Sequence, residues 1–468
     1  MNPLLRTLIS AVFLATQLPA EEPARPNVIL IMADDLGYHD LGCYGHEKIR
    51  TPVLDRLASE GVRLTNFHSG ATVCTPSRMA LMTGAYPVRL GWTQGVVGYL
   101  IPNDQGMSPE ALTIAEIFRS EQYATGISGK WHIGSGPATG PLAQGFDEAY
   151  HIKLSNNQTK QVWQGEQLDP RPFDNRLLTE RFTESAIRFI RAKSEKPFFL
   201  YLPFTAPHFP VQAHPEWAGR SSFGEYGDVV EEMDFRIGEI IKVLEELKLR
   251  ERTIIVFTSD NGPQADQPAR ATPYRGAKWS ALEGGTRVPC IVNWPGGIAA
   301  GRVSDQLIAA IDLLPSLSRA CGIDWRAKSK GQPKIDGVDV WETLRGDKTE
   351  HQRHTLLHWQ GKSPEPQAIT HESWKLFFNA KDAFDGPGTD FGTPEQVTAS
   401  AHLRKTISAE NQPALFHLTD DPSEIIDRST KDPDQVKNLL EIAKPLRAEL
   451  SVGKLPLVQS KPEKGKQP

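Results

Sequence analysis

A chain of 468 residues with a formal net charge of −5 is long enough to bury a large core, and its only basic cluster lies in the last ten residues, which argues against a nucleic-acid binder. Its 38 glycines and 36 prolines are dispersed, which fits a loop-rich globular enzyme rather than a disordered chain. The four cysteines, Cys43, Cys74, Cys290 and Cys321, follow no metal-ligand spacing, and they permit a disulfide without requiring one.

Residues 1–20 carry a basic Arg6 followed by a short apolar run, 8–15. The run is too short to span a bilayer and has the proportions of a secretory signal, so a signal peptide over 1–20 and a secreted or periplasmic protein are expected. No other stretch is long and apolar enough for a membrane span. The β-branched run 27–32 reads as a strand buried on both faces. It ends in Ala33-Asp34-Asp35-Leu36-Gly37, where paired carboxylates either cap a turn or bind something positive. Residues 51–61 read as a helix, with Pro52 near the start, Leu54 and Leu57 on one face and Gly61 as the stop.

Cys74-Thr75-Pro76-Ser77-Arg78 comes next. Proline suits the first turn of a helix, which would put Cys74 just outside a helix N-terminus, where N–H groups favour negative charge. Arg78 then falls about one turn along; a buried structural cysteine at a cap fits the same residues. A helix over 112–121 leads into a strand at 123–128 and then Gly129-Lys130-Trp131-His132-Ile133-Gly134. From an extended backbone, Lys130 and His132 can share one face. A strand over 196–202 runs into a loop in which Pro207 and Pro210 hold His208 on stiff, non-helical backbone.

Residues 228–248 place Val230, Met233, Ile237, Ile240, Ile241, Leu244 and Leu247 at the spacing of an amphipathic helix. The buried strand 253–258 ends in Ser259-Asp260-Asn261-Gly262, a turn or a second acidic cluster. Tyr274-Arg275-Gly276-Ala277-Lys278 and Glu283-Gly284-Gly285 follow; glycines there let a loop pass close to a ligand, with Lys278 supplying charge. A strand at 290–294 and a helix over 307–321 complete this part.

Alternating strands and helices predict an α/β fold with a large, mostly parallel sheet between helical layers. Its functional crevice should lie beyond the carboxyl ends of the strands. Asp34/Asp35, Lys130/His132, His208 and Asp260/Asn261 each follow a strand directly, so four polar clusters converge on one edge. After about residue 346, short strands at 354–359, 369–371, 374–378 and 414–418 and a helix at 433–450 predict a smaller antiparallel sheet with a terminal helix. The expected organisation is a catalytic α/β domain over 21–345 and a smaller α+β subdomain over 346–468. Residues 384–393 read as a surface loop and the tail from 455 as frayed.

Cys74-Thr75-Pro76-Ser77-Arg78, with Thr83-Gly84 behind it, resembles the modification signature of the formylglycine-dependent type I sulfatases of the alkaline phosphatase superfamily, the arylsulfatase A type above all. The stretches Ala33 to Tyr38, Gly129 to Gly134, Ala206 to Pro210, Ser259 to Gly262 and Glu283 to Pro289 match other motifs of that family, in order, along nearly the whole mature chain. Three residues depart from its pattern: Gln122, His39 and Ala277 stand where glycine is usual.

The resemblance implies an alkaline phosphatase-like fold and a sulfatase acting on sulfate esters, with sulfated carbohydrates expected and aryl sulfates as surrogates. It implies that a formylglycine-generating enzyme oxidises Cys74 to formylglycine (3-oxoalanine), which hydrates to a diol. Asp34, Asp35, Asp260 and Asn261, with residue 74, would hold a divalent cation, and all-oxygen ligands favour Ca²⁺ ahead of Mg²⁺. Arg78, Lys130 and Lys278 would neutralise the sulfuryl group, with Lys130, His208 and Lys278 contacting substrate. By the same resemblance one diol oxygen attacks sulfur with Asp260 as base, His208 protonates the departing alcohol, and His132 takes the second hydroxyl proton as sulfate leaves. Walls of the pocket are expected from 96–106, 152–176 and 382–393; Trp92, Trp163 and Trp359 could stack on a sugar or simply pack. A phosphatase or phosphonate hydrolase of the same superfamily, and an unmodified carbohydrate-binding relative without catalysis, are the competing readings.

Overall fold

In the computed structural model, residues 25–348, 350, 352–406 and 412–459 are described, and the expected signal peptide over 1–20 lies outside them. The run Asn27–Ala33 forms strand β1 and is buried along its whole length. Alternate side chains of a strand face opposite ways. Val28, Leu30 and Met32 enter one core and Ile29, Ile31 and Ala33 another. A strand covered on both faces must be apolar at every position, which is why no polar alternation marks this one.

The other strands of the main sheet are β2 (Val62–Leu64), β3 (Ala124–Lys130), β4 (Glu148–Ile152), β5 (Trp163–Gln164), β6 (Gln167–Leu168), β7 (Phe198–Pro203), β8 (Thr253–Ser259), β9 (Cys290–Asn293) and β10 (Arg302–Ser304). They lie in the order β6-β5-β4-β3-β7-β1-β8-β9-β2-β10. The central strands β4, β3, β7, β1 and β8 run parallel, while β8–β9, β9–β2, β4–β5 and β5–β6 are antiparallel. The sheet is therefore mixed, with a parallel centre.

Helices α1 (Pro52–Ser59), α4 (Leu178–Ala192) and α5 (Gly224–Glu246) cover one face. Helices α2 (Cys74–Thr83), α3 (Ile114–Ser120) and α6 (Leu313–Ala320) cover the other. Four short strands, β11 (Thr355–His358), β12 (Ala368–His371), β13 (Trp374–Phe377) and β14 (Ala414–His417), make a separate antiparallel sheet in sequential order. Helix α7 (Pro394–Thr406) precedes its last strand, and helix α8 (Pro433–Glu449) packs Leu439 and Ala443 into the larger core. Among the described residues no helix is long and apolar enough to cross a membrane, and all four cysteines are free thiols.

Three local expectations are corrected. The helix predicted over 307–321 starts only at Leu313, because Ile308–Ala309 pairs with Phe67–His68 and Asp312 Oδ2 accepts the Ala309 N–H (2.8 Å). Residues 455–459 are not frayed: the Leu455 N–H donates to Arg89 O (2.8 Å) and Val458–Gln459 pairs with Gln105–Gly106. Within 384–393, Phe384 and Thr389 are buried, because the Arg275 guanidinium donates to Thr389 O (2.9 Å).

Candidate active site

Beyond the ends of the parallel strands the loops stay in register. The Asp34 N–H donates to Ala206 O (2.9 Å) and the Asp260 N–H to Ala33 O (3.1 Å), so the ends of β1, β7 and β8 remain tied after the strands stop. Asp35 turns out of the strand at φ 66°, a left-handed conformation that aspartate tolerates better than most residues. Its N–H donates to Asp260 Oδ1 (3.2 Å), and its own Oδ1 accepts from Asn261 Nδ2 (2.7 Å).

Cys74 is the first residue of α2 rather than a residue just outside it; extended Val73 is the cap and Pro76 falls within the first turn. Its side chain is 1% exposed. Thr75 locks the helix start, donating to His132 O (2.7 Å) and accepting from the Val97 N–H (3.0 Å). One turn along, the buried Arg78 donates from Nε to Asp260 Oδ2 (2.9 Å) and from Nη1 to Lys130 O (2.8 Å), and its Nη2 stands 3.6 Å from Asp34 Oδ1.

Lys130 Nζ lies 2.5 Å from Asp34 Oδ2 and 3.4 Å from Cys74 Sγ, which is itself 3.5 Å from Asp34 Oδ1. Lys278 Nζ donates to Asp35 Oδ2 (2.9 Å). Ala277 in place of glycine does not disturb this lysine, since its N–H bonds Gly388 O (3.0 Å) and its side chain is buried. His132 Nε2 donates to Val97 O (2.8 Å), which leaves Nδ1, buried and unpartnered, as an acceptor. His208 Nδ1 donates to Phe209 O (2.6 Å), and its Nε2 stands 3.5 Å from Ser155 Oγ and 3.7 Å from Asp35 Oδ2. All seven residues expected to be catalytic are thus brought to one place.

The charges are strongly perturbed. Burial works against an ionised Asp34, yet Lys130, His208, Arg78 and Lys278 outweigh it and hold the carboxyl well below the usual range. Burial and the Asp34 charge instead push Asp260 up to about 7. Burial lowers His208 to about 4, against the pull of Asp34 and Asp35, and lowers His132 further below its ordinary value. The Cys74 thiol is pushed up by burial.

A cation fits these residues. Asp34, Asp35, Cys74 and His208 offer atoms within 4.8 Å of one another, and Asn261 Oδ1 is buried without a partner. The oxygens of Asp34, Asp35 and Asn261 suit a hard divalent ion, and an oxygen in place of the Cys74 sulfur would suit it better than the thiol does. Asp260 lies just outside that four-residue group, which includes His208: its Oδ2 accepts from Arg78, and its Oδ1 accepts one bond from the Asp35 N–H and keeps a second lone pair.

Above Cys74 opens a cavity of about 350 Å³. Two larger hollows, of about 770 and 710 Å³, lie elsewhere and contain none of these groups. Residues of 96–106 and 152–176 line the cavity as expected, whereas 382–393 does not; it stands behind Lys278 through Gly388. Trp92 and Trp359 are packed in the core, and Trp163 carries Lys153 Nζ over its ring at 3.7 Å; none lines the cavity. The aromatic there is Trp279, with Tyr99 and Phe209. Trp279 and Gln264 carried no sequence signal, Tyr99 and Ser155 lay only in the expected wall segments, and Phe209 lay inside a quoted motif.

The family model described as Sulfatase matches residues 26–323, and that described as the C-terminal region of aryl-sulfatase matches 351–462. The chain is 34% identical to human arylsulfatase A over 457 residues, covering 90% of this chain and 85% of the relative. It is 33% identical to mouse steryl-sulfatase over 512 residues, covering 89% and 81%. A solved structure from Bacteroides thetaiotaomicron, reported with the metabolism of multiple glycosaminoglycans, superposes with a TM-score of 0.78 at 28% identity, covering 91% of this chain and 100% of that one.

Proposed function

The chain belongs to the sulfatase family and is a sulfuric ester hydrolase, and from that premise we propose a finer reading: it removes sulfate from carbohydrate esters through residue 74, after oxidation of Cys74 to formylglycine. The observation that carries this is the position of Cys74 Sγ at the cavity floor, 3.4 Å from a buried ammonium and 3.5 Å from a buried carboxylate. A formylglycine hydrate supplies two hydroxyls, one to attack sulfur and one to release sulfate afterwards, which a serine lacks. Asp34, Asp35, Asp260 and Asn261 would hold a Ca²⁺ with residue 74, and the ion would supply Lewis acidity toward a sulfate oxygen.

The chain's own residues do the rest. Lys130, Lys278 and Arg78 bring three cations to the sulfuryl group in a site from which water is largely excluded, where fixed charge is worth most. Asp260 receives the proton of the attacking hydroxyl. His132 Nδ1, free to accept, takes the proton of the second hydroxyl. His208, with Nδ1 fixed on Phe209 O, presents Nε2 to the departing alcohol; the negative charge of the bound ester favours its protonated form over that in the empty site. The N-terminal segment fits export to the periplasm or outside, and a formylglycine-generating enzyme would act on the Cys74 motif before the chain folds.

Peptide mass spectrometry of the secreted protein should show the loss of sulfur and two hydrogens and the gain of one oxygen at residue 74, with sulfate release from an aryl sulfate abolished by Cys74→Ala. An unmodified Cys74 in a protein with metal-dependent phosphatase activity would move the assignment to a phosphatase. An unmodified Cys74 in a protein that binds sugars and turns nothing over would make it a binding protein.

A further inference from the structure

The wall of the cavity above Cys74 carries two unlike kinds of side chain. One kind is aromatic: Tyr99, 52% exposed, meets Trp279 edge to face at 5.9 Å, and Phe209, 36% exposed, stacks on the His208 imidazole at 4.6 Å and 18°. Solvent-facing rings clustered at the mouth of a cavity offer a flat apolar surface to a ligand. Tyr99 is held firmly, its N–H and C=O both bonded to Val96 at 2.9 Å. The other kind is the neutral amide, in Asn157, Gln158 and Gln264.

Gln158 is fixed by the Ser155 N–H, which donates to its Oε1 (3.1 Å). Its Nε2 is turned to Gly98, where an added Cβ would come within 2.8 Å. Gly98, at φ +88°, is thus the point where the aromatic hairpin and the amide loop touch. Among the described residues that line the cavity, Lys278 is the one lysine or arginine, and it faces Asp35 at the sulfate end. A carboxylate or second sulfate on the leaving group would find no lysine or arginine in this wall other than Lys278, which Asp35 already pairs, and a poorly paired charge in such a place is costly. At about 350 Å³ the cavity is near the low end for small-molecule sites and suits one ring.

An aryl or sterol alcohol would use the rings and make no bond to the amides. A sugar uses both, since its C–H face stacks on aromatics and its hydroxyls bond amides. We infer that this wall selects a singly sulfated, uncharged pyranoside, with its apolar face on Tyr99 and Trp279 and its hydroxyls on Asn157, Gln158 and Gln264. This rests on the formylglycine sulfatase reading above and narrows its substrate to one neutral ring.

The test compares kcat/KM of the full, modified chain on three probes: a panel of neutral hexose monosulfates, the corresponding hexose disulfates, and 4-nitrophenyl sulfate. At least one neutral monosulfate should exceed its disulfate by about a hundredfold, the size of effect left by an unpaired charge. Gln158→Ala and Gln264→Ala should each lower the ratio of hexose to aryl kcat/KM by about tenfold, one hydrogen bond's worth. Gln264→Arg should narrow the gap between monosulfate and disulfate. Equal rates on monosulfate and disulfate, or ratios that do not move in the variants, overturn the inference while aryl turnover leaves the sulfatase reading intact. Absence of turnover on all three probes in protein carrying a modified residue 74 sinks that reading and the inference with it.

Discussion

His208 shows how a single residue acquires a role from its frame. Its Nδ1 is committed to a backbone carbonyl, its ring is stacked on Phe209, and Nε2 is left facing the cavity. If this nitrogen protonates the leaving oxygen, its loss should matter in proportion to how poor the leaving group is. His208→Ala should cost about 10²–10⁴ in kcat on sugar sulfates, the usual worth of a general acid. The loss should be much smaller on 4-nitrophenyl sulfate, whose phenolate leaves unaided; equal losses on both would remove His208 from that step. At this scale the sequence was informative wherever a polar residue ended or directly followed a buried strand, as with Asp34, Lys130 and Asp260. It was silent on Thr75, which joins His132 O to the Val97 N–H, because that bridge depends on which loops the fold brings together. Gln122 sits at φ 65°, which explains physically why glycine is usual there.

Elements are joined by side chains that complete one another's ends. Thr51 caps α1 in position only, because its hydroxyl is used by Gly42 and Asp55; the Val53 and Leu54 N–H groups donate instead to Asp234 of α5, at 3.0 and 2.8 Å. Burial pushes Asp234 up to about 7, against the lowering effect of those two hydrogen bonds. An acid with a folded value above its unfolded one stabilises fully at low pH and loses that contribution as pH rises through about 7. The stability of the wild type relative to Asp234→Asn should therefore shrink between pH 5 and pH 8, read from paired thermal melts. A constant difference would mean that Asp234 does not titrate in this window. Strands were the most legible elements, since continuous apolar runs such as 27–32 and 253–258 have one reading inside a long α/β chain. Helix α4 was passed over although Phe182, Ala186, Phe189 and Ile190 are its buried stripe, and the start of α6 was misplaced because Asp312 is claimed by the Arg353 guanidinium and the Ala309 N–H.

Across the whole molecule, the small sheet grips the loop that delivers Lys278. Arg275 is fully buried and donates to four carbonyls of the later chain, those of Ala383, Thr389, Ser423 and Glu424. Lys375, on β13, lies 2.8 Å from Glu283 and 3.1 Å from Glu424, all three without exposure. Removing the cation while leaving two buried carboxylates should be severe: Lys375→Met should lower stability by about 3–5 kcal/mol in urea unfolding. A loss below about 1 kcal/mol would mean that the carboxylates are neutral and the grip is not ionic. The composition of residues after 346 predicted a second sheet, but nothing in it indicated that this sheet holds an active-site lysine, because Arg275 and its acceptors are more than 100 positions apart.

The closing of the segment before α2 has a consequence in time. Thr72 O, two residues before Cys74, receives the N–H of Trp279, so the backbone that seals the buried thiol comes from about 200 residues further along the chain. At ordinary synthesis speeds of about 5–20 residues per second, that distance is a delay of roughly 10–40 s. If Cys74 is oxidised as proposed, a nascent chain would offer its cysteine to the maturation enzyme for that long and then withdraw it, and the fraction of active molecules would become a race between translation and oxidation.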